Sequence, residues 1–263
     1  MFNYRGSTAL VTGASKGIGE VFAEHLAARG MNLVLVARSL DALESLAKRL
    51  SDKYAVQCVA LNADLADPDA TNWIATELER CGIQVDLLVN NAGLGLSGRF
   101  LSHAPQQKQA EIQVNVQALV SLTYLFGRGM KNRRKGGIIN IASNASFQPL
   151  PAMATYAATK AFVLHFSEAL SYELAGDGVH VMAACPGPTA TNFFAGTTTN
   201  MSVKNMDSSE SVVKKTLDAF DKGKHVAHPT RISVRLGTLL PRFLPRSLVT
   251  KIAGMATKNM GLH

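Results

Sequence analysis

A tyrosine and a lysine, Tyr156 and Lys160, stand four residues apart in a stretch predicted to begin a helix. That spacing puts both side chains on one helix face, near the positive potential of the helix N-terminus. A neighbouring ammonium favours the phenolate form of a tyrosine and so lowers its pKa. Ser143, at the end of an apolar run, can donate a hydrogen bond to the same reacting oxygen. A Tyr–Lys pair at this spacing is more often a surface pair, so proton transfer is predicted only together with the features below.

A glycine-rich turn follows the first apolar run, where residues 12–19 read TGASKGIG. Glycines let a backbone turn tightly and approach a pyrophosphate, and the helix that follows offers its N-terminal amides and dipole. Tight turns need glycine in any protein, so it is the position of this loop between a strand and a helix that predicts dinucleotide binding. The predicted contacts in the loop are Gly13, Ser15, Lys16, Gly17, Ile18 and Gly19.

Arg38 and Ser39 follow the second apolar run, where an NAD-binding protein usually has an acidic residue for the ribose 2′-hydroxyl. Arg38 can pair instead with a 2′-phosphate, and Lys16 adds a second positive charge. Either cation alone is more often a solvated surface residue. Because both stand on the predicted adenosine side and no acid is present, we predict NADP(H) as the cofactor.

Two more turns complete the predicted cofactor side. Asp64 and Leu65 follow the third apolar run, and Asp64 suits either the adenine edge or helix capping. Asn91, Ala92 and Gly93 follow the fourth run. The small residues there allow close backbone approach, and the amide side chains can bond either the sheet or the ribose.

Short apolar runs alternate with amphipathic stretches and would position these residues. The runs are rich in Val, Ile and Leu without polar alternation, as in a parallel sheet covered on both faces. We therefore predict an α/β, Rossmann-type doubly wound fold with ligands at the carboxyl ends of the strands. Strands are predicted at 8–12, 32–37, 55–61, 85–90, 137–142, 179–185 and 224–227, and helices at 18–28, 39–50, 67–80, 106–132 and 157–174. Asp67 before Pro68 is predicted to cap a helix start, and Gly30 and Gly82 to follow helix ends.

The composition bounds the class of protein. A chain of 263 residues with 47% hydrophobic and 17% charged residues is typical of a globular protein, and we expect one domain over residues 1–263. Three scattered cysteines without a CxxC pair indicate reduced thiols that pack as small core residues, with no disulfide and no metal site. We find no signal-peptide pattern and no bilayer-length apolar stretch, and therefore expect a soluble, cytoplasmic protein.

The positive charge is concentrated in the C-terminal part. The net charge is +8: residues 1–202 hold 16 Lys+Arg and 15 Asp+Glu, residues 203–263 hold 11 and 4, and no acid follows Asp221. The basic extension at about 228–263 interleaves these cations with apolar residues and suits contact with anionic lipid or an acidic acyl carrier. A solvated face over helices that finish the core is the commoner outcome. Nucleic-acid binding is not expected, because no reading motif accompanies the charge.

The glycine loop, Arg38, the NNAG turn, Ser143 and the Tyr156–Lys160 pair occur in an order that resembles the short-chain dehydrogenase/reductase family, in its single-domain branch. The resemblance runs from about Ser7 to Thr191. It implies the strand order 3-2-1-4-5-6-7 and a C-terminal helical extension. It also implies a homodimer or homotetramer built on the helices that carry Asn115 and Tyr156.

The resemblance also assigns two groups of residues that spacing alone does not select. It makes Asn115 a fourth catalytic residue that bends a helix and holds a water in a proton relay, where the residues alone would suggest a buried amide at a helix kink. It makes the segment around Pro186, Gly187, Thr189 and Thr191 the one that contacts the nicotinamide.

The expected activity is interconversion of a carbonyl and an alcohol, as in a carbonyl reductase. Tyr156 would be the general acid/base, Ser143 would bond the substrate oxygen, and Lys160 would tune Tyr156 and hold the nicotinamide ribose. The predicted substrate walls are Leu94, Leu96, residues 147–153 and residues 192–206, with a mobile lid at about 189–210. Phe147, Leu150, Met153, Phe193 and Phe194 favour a lipophilic ketone, aldehyde or 3-ketoacyl group, although core packing accounts equally well for several of them. The alternatives are a non-catalytic NADP(H)-binding regulator and a lipid-surface adaptor; an epimerase or dehydratase would need a longer substrate region.

Overall fold

A computed structural model describes residues 2–191, 193 and 206–262 of the chain. Within these residues the strands form a parallel sheet of seven strands in the order β3-β2-β1-β4-β5-β6-β7. The strands are β1 Thr8–Thr12, β2 Asn32–Ala37, β3 Cys58–Asn62, β4 Leu87–Asn90, β5 Gly136–Ile141, β6 Val179–Ala184 and β7 Val226–Ala227. The predicted fold class and strand order are confirmed.

Helices cover both faces of the sheet. In chain order they are α1 Gly17–Ala28, α2 Leu40–Tyr54, α3 Ala70–Arg80, α4 Pro105–Ile112, α5 Ala118–Arg133, α6 Ala154–Leu174, α7 Ser209–Asp221, α8 Ile232–Gly237 and α9 Arg246–Asn259. Phe22 of α1 and Leu217 of α7 lie in one buried cluster, and Ile74 of α3 and Leu122 of α5 lie in another. Burial on both faces explains why the strand sequences are apolar throughout.

Several predicted boundaries are wrong: β4 begins at Leu87, β7 at Val226 and α6 at Ala154, where 85, 224 and 157 were predicted, and three further differences have a visible cause. Helix α2 runs on to Tyr54, so β3 begins at Cys58; Ala55 ends the helix in the left-handed region with φ 56°. Helix α3 begins at Ala70, because the Asp67 carboxylate accepts the Asp69 amide at 3.0 Å and forms a turn instead of capping a helix. The single helix predicted at 106–132 is divided by a π-helical turn, Gln113–Gln117, between α4 and α5.

The glycine and cysteine predictions are largely confirmed. Gly30 and Gly82 follow α1 and α3 with φ of 81° and 66°, a region that favours glycine. All three thiols are free, with Cys185 buried and Cys58 partly buried. Cys81 is exposed at the end of α3, so the prediction that all three cysteines pack in the core is wrong for Cys81. Among the described helices, none is long and apolar enough to cross a membrane.

Buried amides fix the carboxyl ends of the two central strands. The Asn90 side-chain Nδ2 of β4 donates to the Asn140 side-chain Oδ1 of β5 at 2.9 Å and to the Thr123 hydroxyl of α5 at 3.0 Å. The Asn140 amide donates in turn to the Ser167 hydroxyl of α6 at 2.9 Å. These bonds join two strands and two helices directly below the edge where the candidate site lies.

Candidate active site

A cavity of about 800 Å³ opens at the carboxyl edge of the sheet. Ser143, Tyr156 and Lys160 line it. The predicted cofactor residues that also line it are Gly13, Ser15, Lys16, Gly17, Ile18, Arg38, Ser39, Asp64, Leu65, Asn91, Ala92, Gly93, Pro186, Gly187, Thr189 and Thr191. Two predicted site residues, Gly19 and Asn115, are buried behind the lining. The structure thus brings the predicted residues to one cavity.

The glycine loop leaves room for a phosphate at the start of α1. Gly13 and Gly17 have φ of 66° and 61°, which favours glycine. A Cβ at Gly19 would come within 2.2 Å of the Gly13 carbonyl oxygen, so only glycine allows this close approach. No side chain caps α1 at Lys16, and its first amides therefore remain able to bind an anion. A dinucleotide pyrophosphate fits this cradle.

Lys16 and Arg38 are both exposed at the rim of the cavity. Neither side chain forms an ion pair with any residue that the structure describes. Asp64 also lines the cavity, and its carboxylate accepts the Ala66 amide at 3.0 Å in a local turn. Two cations at one end of the cavity suit a phosphate ester.

The turn after β4 is tied to the glycine loop. The Thr12 hydroxyl accepts the backbone amides of Asn91 and Ala92, each at 3.0 Å. The Asn91 side-chain amide donates to the Thr12 carbonyl oxygen at 2.9 Å. The sequence left open whether these side-chain amides bond the sheet or the ribose. Asn91 bonds the sheet, at the Thr12 carbonyl oxygen.

Tyr156 and Lys160 lie in the first two turns of α6. The Lys160 ammonium donates to the Ile141 carbonyl oxygen at 2.6 Å and lies 5.9 Å from the centroid of the Tyr156 ring. Lys160 is only 4% exposed, so this bond fixes a buried charge at the end of β5. The Ser143 hydroxyl accepts the Ala145 amide at 3.1 Å, which orients it at the start of the turn after β5.

Burial dominates the electrostatics of this group. Burial raises the pKa of Tyr156 to about 12, with a hydrogen bond from Ser143 lowering it and the charge of Glu111 raising it further. Burial lowers the pKa of Lys160 to about 8. Desolvation of the phenolate dominates, so the pKa of Tyr156 lies above its ordinary value and not below it as the sequence led us to expect; that Lys160 tunes Tyr156 stays a prediction.

Asn115 connects the turn after β4 to α6, the helix that carries Tyr156 and Lys160. Its side-chain oxygen Oδ1 accepts the Leu94 backbone amide at 2.8 Å, and its side-chain Nδ2 donates to the Leu94 backbone carbonyl oxygen at 2.8 Å and to the Thr159 hydroxyl at 3.0 Å. Asn115 lies in the π-helical turn, so the local irregularity expected at this residue is present. Its predicted part in a proton relay stays a prediction.

The segment after β6 closes the cavity above the glycine loop. The Thr191 methyl group would lie 3.2 Å from a Cβ at Gly17, so Gly17 lets the two segments meet. A Cβ at Gly187 would lie 2.4 Å from the Thr230 hydroxyl. The carboxylate of Asp207 accepts that hydroxyl at 2.6 Å and so anchors the segment.

The predicted substrate wall is partly present. Leu94, Leu150, Met153 and Phe193 line the cavity, and the Phe193 ring lies 5.5 Å from the Tyr156 ring. Leu96 lies outside the described lining. Phe147 also lies outside it, and packs against the core with its ring 5.3 Å from His228. The predicted lid, with Phe194, falls largely on residues 192 and 194–205, which lie outside the described residues.

Sequence reasoning missed the largest apolar part of the wall. Helices α8 and α9 and the turn between them close one side of the cavity. Their lining residues are Val234, Gly237, Thr238, Leu240, Pro241, Leu244, Val249, Ile252, Ala253, Ala256, Met260 and Leu262. The spacing of 249, 252, 253, 256 and 260 is helical and signals an apolar face, but it does not reveal that the face borders a cavity.

Sequence reasoning also missed a buried acid. Glu111 is fully buried one turn before Asn115; one of its carboxylate oxygens accepts the Leu96 amide at 3.2 Å and the other lies 3.7 Å from the Lys108 ammonium. Burial raises the pKa of Glu111, while the Leu96 amide and Lys108 lower it. A single acid in a helical stretch gives no sequence signal of this burial.

The fold and the cavity define a Rossmann-type protein with a dinucleotide cradle beside a Ser–Tyr–Lys group. The family model described as short chain dehydrogenase matches residues 7–202. A very-long-chain 3-oxoacyl-CoA reductase of Phaeosphaeria nodorum is 40% identical over 68% of this chain and 54% of its own length. The mouse 17-beta-hydroxysteroid dehydrogenase type 3 is 37% identical over 69% of this chain and 59% of its own.

A solved structure covers more of the chain. A short-chain dehydrogenase from Sphingobium yanoikuyae in complex with NADPH is 34% identical, with a TM-score of 0.81, covering 90% of this chain and 93% of that one. The chain spans little more than half the length of the two curated relatives above. It belongs to the short chain dehydrogenase family, which consists of NAD(P)-dependent oxidoreductases.

The raised pKa of the Glu111 carboxyl predicts how the free energy of unfolding changes with pH. The folded pKa of Glu111 is raised above the unfolded value of 4.5, so its contribution to stability is present below pH 4.5 and declines as the pH rises toward the folded pKa. We therefore expect wild type to lose stability relative to Glu111→Gln over this range, because glutamine carries no charge to desolvate. Urea unfolding of both proteins between about pH 4 and pH 8 measures the difference.

Glu79→Gln is the matched control, since Glu79 is exposed and forms no ion pair with a described residue. Its stability curve is expected to run parallel to wild type. A parallel curve for Glu111→Gln as well would contradict the assignment of a raised pKa to Glu111.

Proposed function

We propose that the protein is an NADP(H)-dependent carbonyl reductase that interconverts a lipophilic ketone, aldehyde or 3-ketoacyl group and its alcohol. The observation that carries the proposal is the convergence of the Tyr156 phenol, the Ser143 hydroxyl and the Lys160 ammonium on the cavity that holds the dinucleotide cradle. When bound, NADPH supplies the hydride. The remaining chemistry is movement of one proton and stabilisation of one oxygen.

Tyr156 suits the role of proton donor in reduction. With a pKa raised by burial to about 12, its phenol is protonated at neutral pH. As the proton passes to the substrate oxygen, the Lys160 ammonium stabilises the phenolate that forms, and the Ser143 hydroxyl bonds the substrate oxygen. The bond from Lys160 to the Ile141 carbonyl oxygen, 2.6 Å long, holds the ammonium in place through this step.

Two cations support NADP(H) over NAD(H). Arg38 and Lys16 lie at the same rim of the cavity and form no ion pair with a described residue, so they can both pair with a 2′-phosphate. The solved relative with 34% identity is a complex with NADPH.

The apolar wall supports a lipophilic substrate. Leu94, Leu150, Met153 and Phe193 on one side face the α8–α9 segment on the other, so the space beyond Tyr156 and Ser143 is bordered mainly by hydrocarbon. The relatives named above act, by their names, on very-long-chain 3-oxoacyl-CoA and on 17-beta-hydroxysteroids. Both classes of molecule place a carbonyl or hydroxyl group on a large apolar body.

A non-catalytic NADP(H)-binding regulator is the second candidate, since the same cradle serves a sensor. A sensor needs no proton-transfer groups, so the Tyr156 phenol, the Ser143 hydroxyl and the buried Lys160 ammonium beside one cavity favour the reductase. Direct measurement of turnover separates the two candidates.

The first prediction concerns Tyr156→Phe, which removes the phenol oxygen and keeps the ring. We expect NADPH-dependent reduction of lipophilic ketones to fall roughly 10²- to 10⁴-fold, while NADPH binding changes little. Absorbance at the reduced-nicotinamide band measures turnover and fluorescence titration measures binding. Tyr172→Phe, at an exposed tyrosine of the same helix, is the control. Wild type without turnover on any ketone, aldehyde or 3-ketoacyl thioester, yet binding NADPH, would support the regulator instead.

The second prediction concerns the choice of cofactor. Arg38→Ser removes one charge-assisted bond to a 2′-phosphate and should raise KM for NADPH roughly 10- to 100-fold, with little change for NADH. Arg128→Ser, at an exposed arginine of α5, is the matched control. Equal use of NADH and NADPH by wild type, or an unchanged KM for NADPH in Arg38→Ser, would remove the basis for NADP(H).

The third prediction concerns assembly. Helices α5 and α6 expose Tyr124 and Phe162, which are 66% and 42% accessible and are suited to contact between copies of the chain. We propose a homodimer or homotetramer through these helices. Sedimentation velocity should give two or four times 28.1 kDa, and Tyr124→Ser with Phe162→Ser should lower that mass. A 28.1 kDa species for wild type at micromolar concentration would refute the assembly.

A further inference from the structure

Exposed hydrophobic side chains are concentrated at the C-terminal end of the fold. Of the sixteen large hydrophobic residues exposed in the described part of the chain, eight lie between residues 232 and 255. We call these eight the C-terminal patch. Its most exposed members, Phe243 and Ile232, are 81% and 76% accessible. A surface that exposes so many large apolar side chains in a short segment marks an interaction site.

The patch follows helical faces. Ile232 and Leu236 are four residues apart on α8, and Leu248, Ile252 and Met255 are spaced by four and three residues on α9. Each set lies on one side of its helix. The apolar side chains on these helices therefore form ridges on the surface.

Cations accompany the ridges, and among the described residues only one of these cations, Arg231, has an acidic partner, Asp207 at 3.6 Å. Residues 222–263 contain eight Lys+Arg and no Asp or Glu. Arg235, Arg242, Arg246 and Lys251 are exposed, and none of them forms an ion pair with a described residue. The surface thus combines apolar side chains with uncompensated positive charge.

The same segment borders the cavity. Leu240 and Ile252 are exposed members of the patch and also line the cavity that contains Tyr156. The apolar wall of the site and the apolar surface are therefore continuous through these two residues.

We propose that the C-terminal patch docks the enzyme on an anionic lipid bilayer, with Phe243 and Ile232 entering the acyl region and the surrounding cations contacting the headgroups. Docking places the edge of the cavity at the lipid surface, where a lipophilic substrate is dissolved. This last step rests on the proposed function, whereas the docking itself does not.

Charge decides between this occupant and the alternatives. A second copy of the same surface would bring cation against cation, because residues 222–263 hold no acid to neutralise them. An acidic carrier protein would satisfy the cations, but it leaves the exposed Phe and Ile side chains without a hydrocarbon environment. An anionic bilayer satisfies both features at once.

Vesicle flotation of the full chain tests the proposal. We expect binding to vesicles of phosphatidylcholine with phosphatidylglycerol, weak binding to phosphatidylcholine alone, and weakening by salt. The triple variant Ile232→Ser, Leu236→Ser and Phe243→Ser should lose at least about tenfold in partition coefficient. Arg235→Gln with Arg242→Gln should lose roughly 25-fold, about fivefold for each cation.

The controls alter similar residues elsewhere on the surface. Leu101→Ser with Tyr172→Ser removes side chains that are 90% and 87% accessible, and Arg128→Gln with Lys135→Gln removes two exposed cations. Both should float like wild type. Circular dichroism and turnover on a water-soluble ketone report whether the patch variants stay folded, since the substituted residues do not line the cavity.

The outcomes separate docking from catalysis. No flotation of wild type, or flotation undiminished in the folded patch variants, overturns the proposal, as does binding to an acidic carrier protein without binding to vesicles. Flotation that depends on the patch, in a protein without turnover, supports docking and refutes the reductase function. Turnover without flotation supports the reductase function and refutes docking.

Discussion

The three hydrogen bonds of Asn115 are the constraint on which the candidate site depends. They join Leu94, on the turn after β4, to Thr159, on the helix that carries Tyr156 and Lys160. The turn after β4 is itself bonded to the glycine loop through Thr12. Cradle, cavity wall and catalytic helix are therefore one hydrogen-bonded unit, and a displacement of one of them moves the others. Such a unit holds reacting groups in place without cost at each turnover.

The hydrogen bonds of Asn115 are made from a π-helical turn, Gln113–Gln117, which interrupts the regular helix. A regular helix through residues 106–132 would direct the side chain at position 115 differently, because each added residue in a turn rotates those that follow. The insertion puts Asn115 against Leu94 while Glu111, one turn earlier, reaches the Leu96 amide. The same stretch of helix thereby buries an acid close enough to Tyr156 to raise its pKa further. The helix segment that helps to position the phenol thus also contributes to its raised pKa, after the larger effect of burial.

The sequence is sufficient for features that depend on backbone geometry. Gly13, Gly17 and Gly19 need close approach or positive φ, and fully buried parallel strands need apolar runs, so the cradle and the parallel sheet were both predictable, whereas the strand order followed from the family resemblance. The helix start predicted at Asp67 was wrong, because a carboxylate accepts a backbone amide in a turn as readily as at the start of a helix. The pKa of Tyr156 was not predictable, since a spacing of four residues identifies the neighbouring charge but does not reveal how far burial desolvates each group. The burial of Glu111 was not predictable either, because the sequence does not show which charged groups the fold removes from water.

The two ends of the cavity differ in what determines them. The cradle, Ser143, Tyr156 and Lys160 fall inside residues 7–202, the part that the family model matches. Helices α8 and α9, which supply most of the apolar wall, lie beyond residue 202. Hydride and proton transfer need fixed geometry, which restricts the residues that can occupy the first part. A hydrocarbon wall requires only apolar side chains of suitable volume, so many sequences can form it. The less constrained part of the cavity therefore lies mainly in the C-terminal segment, whose outer face carries the exposed apolar residues and the uncompensated cations.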